Sequence, residues 1–96
     1  MSDAYDLTHV ARIDLKRVYA FIAEDNAVAA RRMLVRFQRR FEMLARQPGI
    51  GEPRDELQLG LRSFPLDSYM VYYTVADDFV TIVRVLHGSR EVSGLF

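Results

Sequence analysis

Apolar and polar positions change period several times along the chain, and each change predicts an element. Tyr5 and Leu7 alternate with Asp6 and Thr8, the two-residue period of a half-buried strand, which predicts a strand over residues 4–7. Thr8 then offers a hydroxyl that can accept a backbone N–H at the start of a helix. From residue 9 to about 24, Ala11, Leu15, Val18, Tyr19 and Ile22 recur at helical spacing, with Arg12 and Lys16 away from the centre of the stripe. Asp25 and Asn26 interrupt that pattern, and Asn26 is a good cap for a second helix opening in Ala27-Val28-Ala29-Ala30. Ala30, Leu34, Phe37, Phe41 and Leu44 follow in alternating steps of four and three, a stripe suited to packing on the first helix and on a sheet. Pro48 and Gly49 cannot continue a helix, so the second one stops near Gln47.

Residues 48–60 hold two prolines, three glycines and several charges without periodicity and read as a loop. Three runs rich in β-branched and aromatic residues come next, at 61–64, 69–75 and 80–86, and read as strands. Pro65 closes the first of them. Asp77-Asp78 suits a tight hairpin between the second and third, because Asp tolerates the backbone angles of such turns. Tyr69, Val71, Tyr73 and Val75 share one face of the middle run while Met70, Tyr72 and Thr74 share the other, the pattern of a central strand covered on both sides. Val92-Ser93-Gly94-Leu95-Phe96 ends in two apolar side chains that should dock on the domain or on a partner. The order predicts one α+β domain over residues 1–96: a short N-terminal strand and a two-helix antiparallel hairpin packed on a mainly antiparallel four-stranded sheet.

Composition narrows the function by exclusion. The 13 basic and 13 acidic residues cancel, so net charge supplies no argument for nucleic acid or membrane binding. Absence of cysteine removes disulfides, thiolate nucleophiles and cysteine metal sites. The N-terminus lacks a basic region followed by an apolar run, and no stretch reaches the roughly 18 apolar residues of a membrane span; a cytoplasmic protein with no membrane association is expected. His9 and His87 fall in different elements with no recurring His-acid spacing, so no metal site and no cofactor is expected.

One set of residues carries a resemblance. Asp14-Leu15 lies in the first helix, Asn26 with Ala29-Ala30 opens the second, and Leu44-Ala45 with Pro48 and Gly51 marks its end. Gly60-Leu61-Arg62-Ser63-Phe64, Tyr69-Met70-Val71-Tyr72-Tyr73 and Arg84-Val85-Leu86-His87 with Arg90 follow in order. In order and spacing, over nearly the whole chain, these segments resemble the RelE/ParE superfamily of bacterial toxins, and its ParE branch in particular. The resemblance implies a toxin neutralised by a ParD-like antitoxin whose C-terminal segment wraps around it, with operator DNA reached only indirectly through that antitoxin. It implies DNA gyrase as the usual target of the ParE branch. The sister ribonuclease branch instead cuts messenger RNA on the ribosome, and a domain that keeps only antitoxin binding is a third reading.

These readings differ in the chemistry they need. RNA cleavage through the 2'-hydroxyl requires a base, cations for the developing phosphate charge and an acid for the leaving oxygen. The ribonuclease branch supplies lysines on the first strand of the meander, an arginine on the central strand, and often a tyrosine or histidine near the C-terminus. Here the sole lysine is Lys16 in the first helix, Met70 follows Tyr69, and no tyrosine follows Tyr73. Arg62, Arg84, His87 and Arg90 remain, with Glu91 where the family more often has Asp. These five are expected to contact the target without catalysis. Arg84 interrupts the face that Val80, Ile82 and Leu86 would share, so it should either pair with a carboxylate such as Glu91 or Asp14 or touch the target. For His87 a structural hydrogen bond is favoured over proton transfer. On the second helix Arg31, Arg32, Arg36, Arg39, Arg40 and Arg46 project opposite the apolar stripe, as solvated surface, as a dock for an acidic antitoxin segment, or as a contact for DNA near a gyrase complex. Ile13, Arg32, Val35, Arg36, Arg39 and Met43 are the candidates for antitoxin contact.

Overall fold

A computed structural model describes residues 4–96; Met1, Ser2 and Asp3, part of the N-terminal segment read above, lie outside the described residues. Strand β1 (Tyr5–Leu7) leads into helix α1 (His9–Ala23), and α2 (Ala27–Arg46) returns antiparallel to it. Both helix starts use the caps expected from sequence. The Thr8 hydroxyl accepts the Ala11 N–H at 3.0 Å and donates to the Val83 carbonyl at 2.9 Å. Asn26 Oδ1 accepts the Ala29 N–H at 3.0 Å. Each cap satisfies a backbone donor that has no partner inside the helix, and Thr8 also ties α1 to the sheet.

The sheet has five strands, not four. A one-turn 3-10 helix (Pro48–Ile50) and the two-residue β2 (Glu52–Pro53) occupy part of the expected loop. They are followed by β3 (Arg62–Leu66), β4 (Tyr69–Ala76) and β5 (Phe79–His87). The order is β1-β5-β4-β3-β2, with β1 parallel to β5 and the other pairs antiparallel. Period analysis cannot find β2, since two residues show no alternation and one is a proline. Pro65 does not close β3 but lies within it, paired with Met70. Because β2 covers only Arg62 and Ser63, the outer edge of β3 is open at Pro65 and loses no ladder bond to the missing N–H. Asp77 and Asp78 both take positive φ, 52° and 62°, as a two-residue hairpin turn requires.

Two cores flank the sheet. Ala11, Val18, Phe37, Phe41 and Leu44 of the helices enclose Val71, Tyr73, Val80, Ile82 and Val85 of the strands. On the opposite face Leu61, Tyr72 and Leu86 are covered by Val92, Leu95 and Phe96, so the C-terminal tail docks on its own domain, with the Tyr72 and Phe96 rings 4.9 Å apart. Leu34 departs from the expected stripe: it remains 36% exposed, while Met33 and Met43 pack against the main core.

A bulge on β5 decides which side chains reach which core. Tyr73 pairs with Ile82 and Tyr72 with Arg84, leaving Val83 without a partner. Before the bulge the even-numbered Val80 and Ile82 face the helices; after it Val85 does, and Leu86 joins the opposite core. The shared face expected for Val80, Ile82 and Leu86 therefore does not exist, because one extra residue reverses the alternation.

Candidate functional site

Where β1 ends, α1 takes over the edge of β5 through one side chain. The Asp14 carboxylate, 4% exposed, accepts the Val85 N–H at 3.0 Å, which β1 is too short to reach. The same carboxylate receives Arg84 Nε at 2.8 Å and Arg84 Nη2 at 3.0 Å. Of the two carboxylates considered for Arg84, the fold selects Asp14. This two-pronged bond holds the guanidinium above the usual arginine range against the opposing effect of burial. Glu91 is exposed and instead accepts the Ser93 N–H at 2.9 Å, which lowers its carboxyl below the usual range and closes the turn into the tail.

Beside this pair lies a trough between α1 and the sheet, formed by Asp14, Val18, Phe21, Tyr69, Val85 and His87, with Arg17 and Arg90 at its mouth. The bulge brings His87 here, opposite Tyr69 in the ladder and edge-on to its ring at 5.5 Å. His87 Nδ1 accepts the Ser89 N–H at 3.2 Å and lies 2.8 Å from the Ser89 hydroxyl, contacts that hold the ring in the turn after β5.

Arg62 is elsewhere. It pairs with Tyr73, four positions along β4 from the Tyr69 that pairs with His87, a separation of about 13 Å along the strand. Its guanidinium donates to the carbonyls of Gly51 at 2.7 Å and Gly49 at 3.3 Å. The five expected target contacts therefore divide: His87 and Arg90 line one trough, Arg84 stands behind it paired to Asp14, Glu91 holds the tail turn, and Arg62 braces the 48–51 segment. Arg54 was not singled out from sequence. On the tail-covered side it donates to Ser63 at 2.9 Å and pairs with Glu52 and Glu56; it lies in the stretch without periodicity, and nothing in the chain pattern marks it.

The arginines of α2 also divide. Arg36 pairs with Asp67 in the β3–β4 turn. Arg40 donates to the Pro65 carbonyl at 2.7 Å and lies over the Phe64 ring. Both tie α2 to the sheet, and Arg36 stays exposed while doing so. Arg31, Arg32 and Arg39 stay exposed around Val28 and Val35, which are 47% and 45% exposed. Of the apolar candidates for antitoxin contact, Val35 is exposed, Ile13 half-buried, and Met43 packed against the core.

Burial raises the phenols of Tyr5, Tyr72 and Tyr73 above the usual range. Their neutral forms are favoured by folding, so their contribution is present below the unfolded value of about 10 and lost as pH rises through the folded values. Thermal unfolding is expected to fall steeply above about pH 10, and less steeply in Tyr73→Phe.

Residues 5–92 match the family model described as ParE toxin of type II toxin-antitoxin system, parDE. Toxin ParE3 of Caulobacter vibrioides is 36% identical over 81 residues, covering 83% of this chain and 81% of that protein. Toxin ParE1 of the same organism is 34% identical over 88 residues, 91% of each. Among solved structures, the chromosomal ParDE toxin-antitoxin system from P. aeruginosa aligns with a TM-score of 0.68 at 20% identity, over 90% of this chain and 98% of that one. The toxin-antitoxin complex RelBE2 from Mycobacterium tuberculosis aligns with a TM-score of 0.61 at 30% identity, over 88% of this chain and 95% of that one. The capped helical hairpin, the sheet and the Asp14–Arg84 edge thus belong to a chain that is a member of the ParE toxin family of type II toxin-antitoxin systems.

Proposed function

We propose that this chain is a cytoplasmic toxin that acts by binding and poisoning DNA gyrase rather than by cutting RNA, and that a ParD-like antitoxin neutralises it. The observation that carries the mechanism is the dispersal of its cations. Cleavage of a phosphodiester needs cationic and proton-moving groups converging within about 3 Å of one reacting centre. Here Arg84 is held by Asp14 and Arg62 by two backbone carbonyls, which leaves His87 and Arg90 without the rest of the set. A binding surface tolerates that dispersal; a nuclease does not.

The test is to mix the purified chain with gyrase, ATP and supercoiled plasmid, and separately with translating ribosomes. Trapped double-strand breaks with intact messenger are expected. Cleaved messenger without trapped breaks overturns the reading in favour of the ribonuclease, and neither activity favours a domain that only binds antitoxin.

For the antitoxin, the exposed face of α2 supports a dock for an acidic, amphipathic segment. Arg32 and Arg39 supply charge and Val35 the apolar contact, with Ile13 at the margin; Arg36 contributes from within its pair with Asp67. Arg32→Glu with Arg39→Glu is expected to weaken antitoxin binding by about tenfold or more, and wild-type affinity should fall with salt. Titration calorimetry at two ionic strengths checks both, and unchanged affinity in the double variant removes this dock.

A further inference from the structure

The trough beside Asp14 is built for more than the two side chains assigned to target contact. Val18 and Phe21 of α1 form one wall, and Tyr69 and Val85 of the sheet form the other. Phe21 follows Val18 by one helical step of three, on the same side of α1, yet 70% of it stands in water. An aromatic ring that the fold leaves so exposed has surface to give to a partner. The space measures ≈ 270 Å³, room for one or two large side chains.

Charge around the trough has one sign. Asp14, its only acid, already accepts Arg84 twice and Val85 once. Arg17 and Arg90 are exposed at the mouth, and among the described residues neither has a carboxylate partner. His87, with Nδ1 turned to Ser89, leaves its other ring nitrogen for a polar contact. Cations around an apolar slot complement a carboxylate beside an apolar side chain. A DNA backbone would engage the rim but leave both apolar walls uncovered.

We infer that the trough seats a protein segment carrying one large apolar side chain flanked by carboxylates, and that the target contact proposed above is made to such a segment, not to DNA. The identity of the target rests on the gyrase reading; the chemistry of the seat does not.

The test uses the full chain and short blocked peptides with a central Phe or Leu between acidic residues. In one control set Lys replaces the acids, and in the other Ser replaces the apolar residue. Fluorescence anisotropy is expected to show the acidic-apolar peptides binding about tenfold tighter than either control. Phe21→Ser, and Arg17→Glu with Arg90→Glu, should each abolish that preference without shifting the melting temperature, since all three side chains are exposed. No binding, equal binding of the Lys set, or unchanged preference in the variants overturns the seat. The same variants enter the gyrase assay. A wild-type chain that shows the peptide preference but traps no gyrase keeps the seat and removes the gyrase reading. Equal trapping by wild type and both variants keeps the gyrase reading and overturns the inference that the target occupies the seat.

Discussion

Arg84→Met is expected to lower folding stability by about 3–5 kcal/mol at neutral pH, measured by urea unfolding. The loss comes mainly from what is left behind. Asp14 is 4% exposed, and without Arg84 its charge keeps a single donor, the Val85 N–H. A carboxylate cut off from water and stripped of its cation is costly to keep in the fold. Asp14→Asn should cost less, because the Arg84 side chain is 14% exposed and can turn its charge toward water. Asp14→Leu combined with Arg84→Met removes both charges but orphans the Val85 N–H, so about 1–3 kcal/mol of loss should persist. A loss in Arg84→Met no larger than that in Asp14→Asn would show that the stranded Asp14 charge is not its cause.

This pair also shows how far the sequence reaches. Arg84 stood out because a cation interrupted an apolar strand, and the need for a carboxylate followed from the cost of burying it. Choosing Asp14 over Glu91 required the register of β1 on β5, which leaves the Val85 N–H without a strand partner just where α1 passes. Local signals did better. Thr8, Asn26, Pro48 and the Asp77-Asp78 turn act within four residues of themselves, so their chemistry is visible in the chain. The Val83 bulge is a property of two strands together, and nothing in the run 80–86 announces that its alternation reverses. Without it His87 would lie on the opposite face, away from Arg17, Phe21 and Tyr69.

The α2 arginines make a similar point about faces. At 100° per residue they project away from the apolar stripe, but a long side chain at the margin of that arc reaches the sheet. Arg36 and Arg40 do so, at Asp67 and at Phe64 with the Pro65 carbonyl. A helical projection places the Cβ atom; it does not say where a guanidinium several bonds further on finds a partner.

Gly51→Ala is the second substitution expected to cost several kcal/mol, and its origin is space alone. Gly51 has φ −74° and ψ 157°, extended backbone that alanine adopts without strain. A Cβ there would fall 2.4 Å from the Tyr73 hydroxyl, 2.7 Å from a Tyr73 ring carbon and 2.9 Å from the Ser63 carbonyl. Tyr73 cannot move aside easily. It is fully buried, accepts the Gly51 N–H at 2.8 Å and donates to the Pro48 carbonyl at 2.7 Å. The turn cannot move outward freely either, since Arg62 grips the Gly51 carbonyl. Overpacking at about 1–3 kcal/mol and loss of the phenol's hydrogen bonds at a similar cost give about 2–6 kcal/mol together. Tyr73→Phe alone should cost about 1–3 kcal/mol, because it leaves the buried Gly51 N–H unpaired. In that background the nearest clash is gone while the ring carbon and the Ser63 carbonyl remain. Gly51→Ala should then cost less than in wild type but still destabilise, a coupling above about 0.5 kcal/mol in a double-mutant cycle. Urea unfolding of the four proteins reads that coupling, and additive losses would mean that the phenol does not fill the space above Gly51.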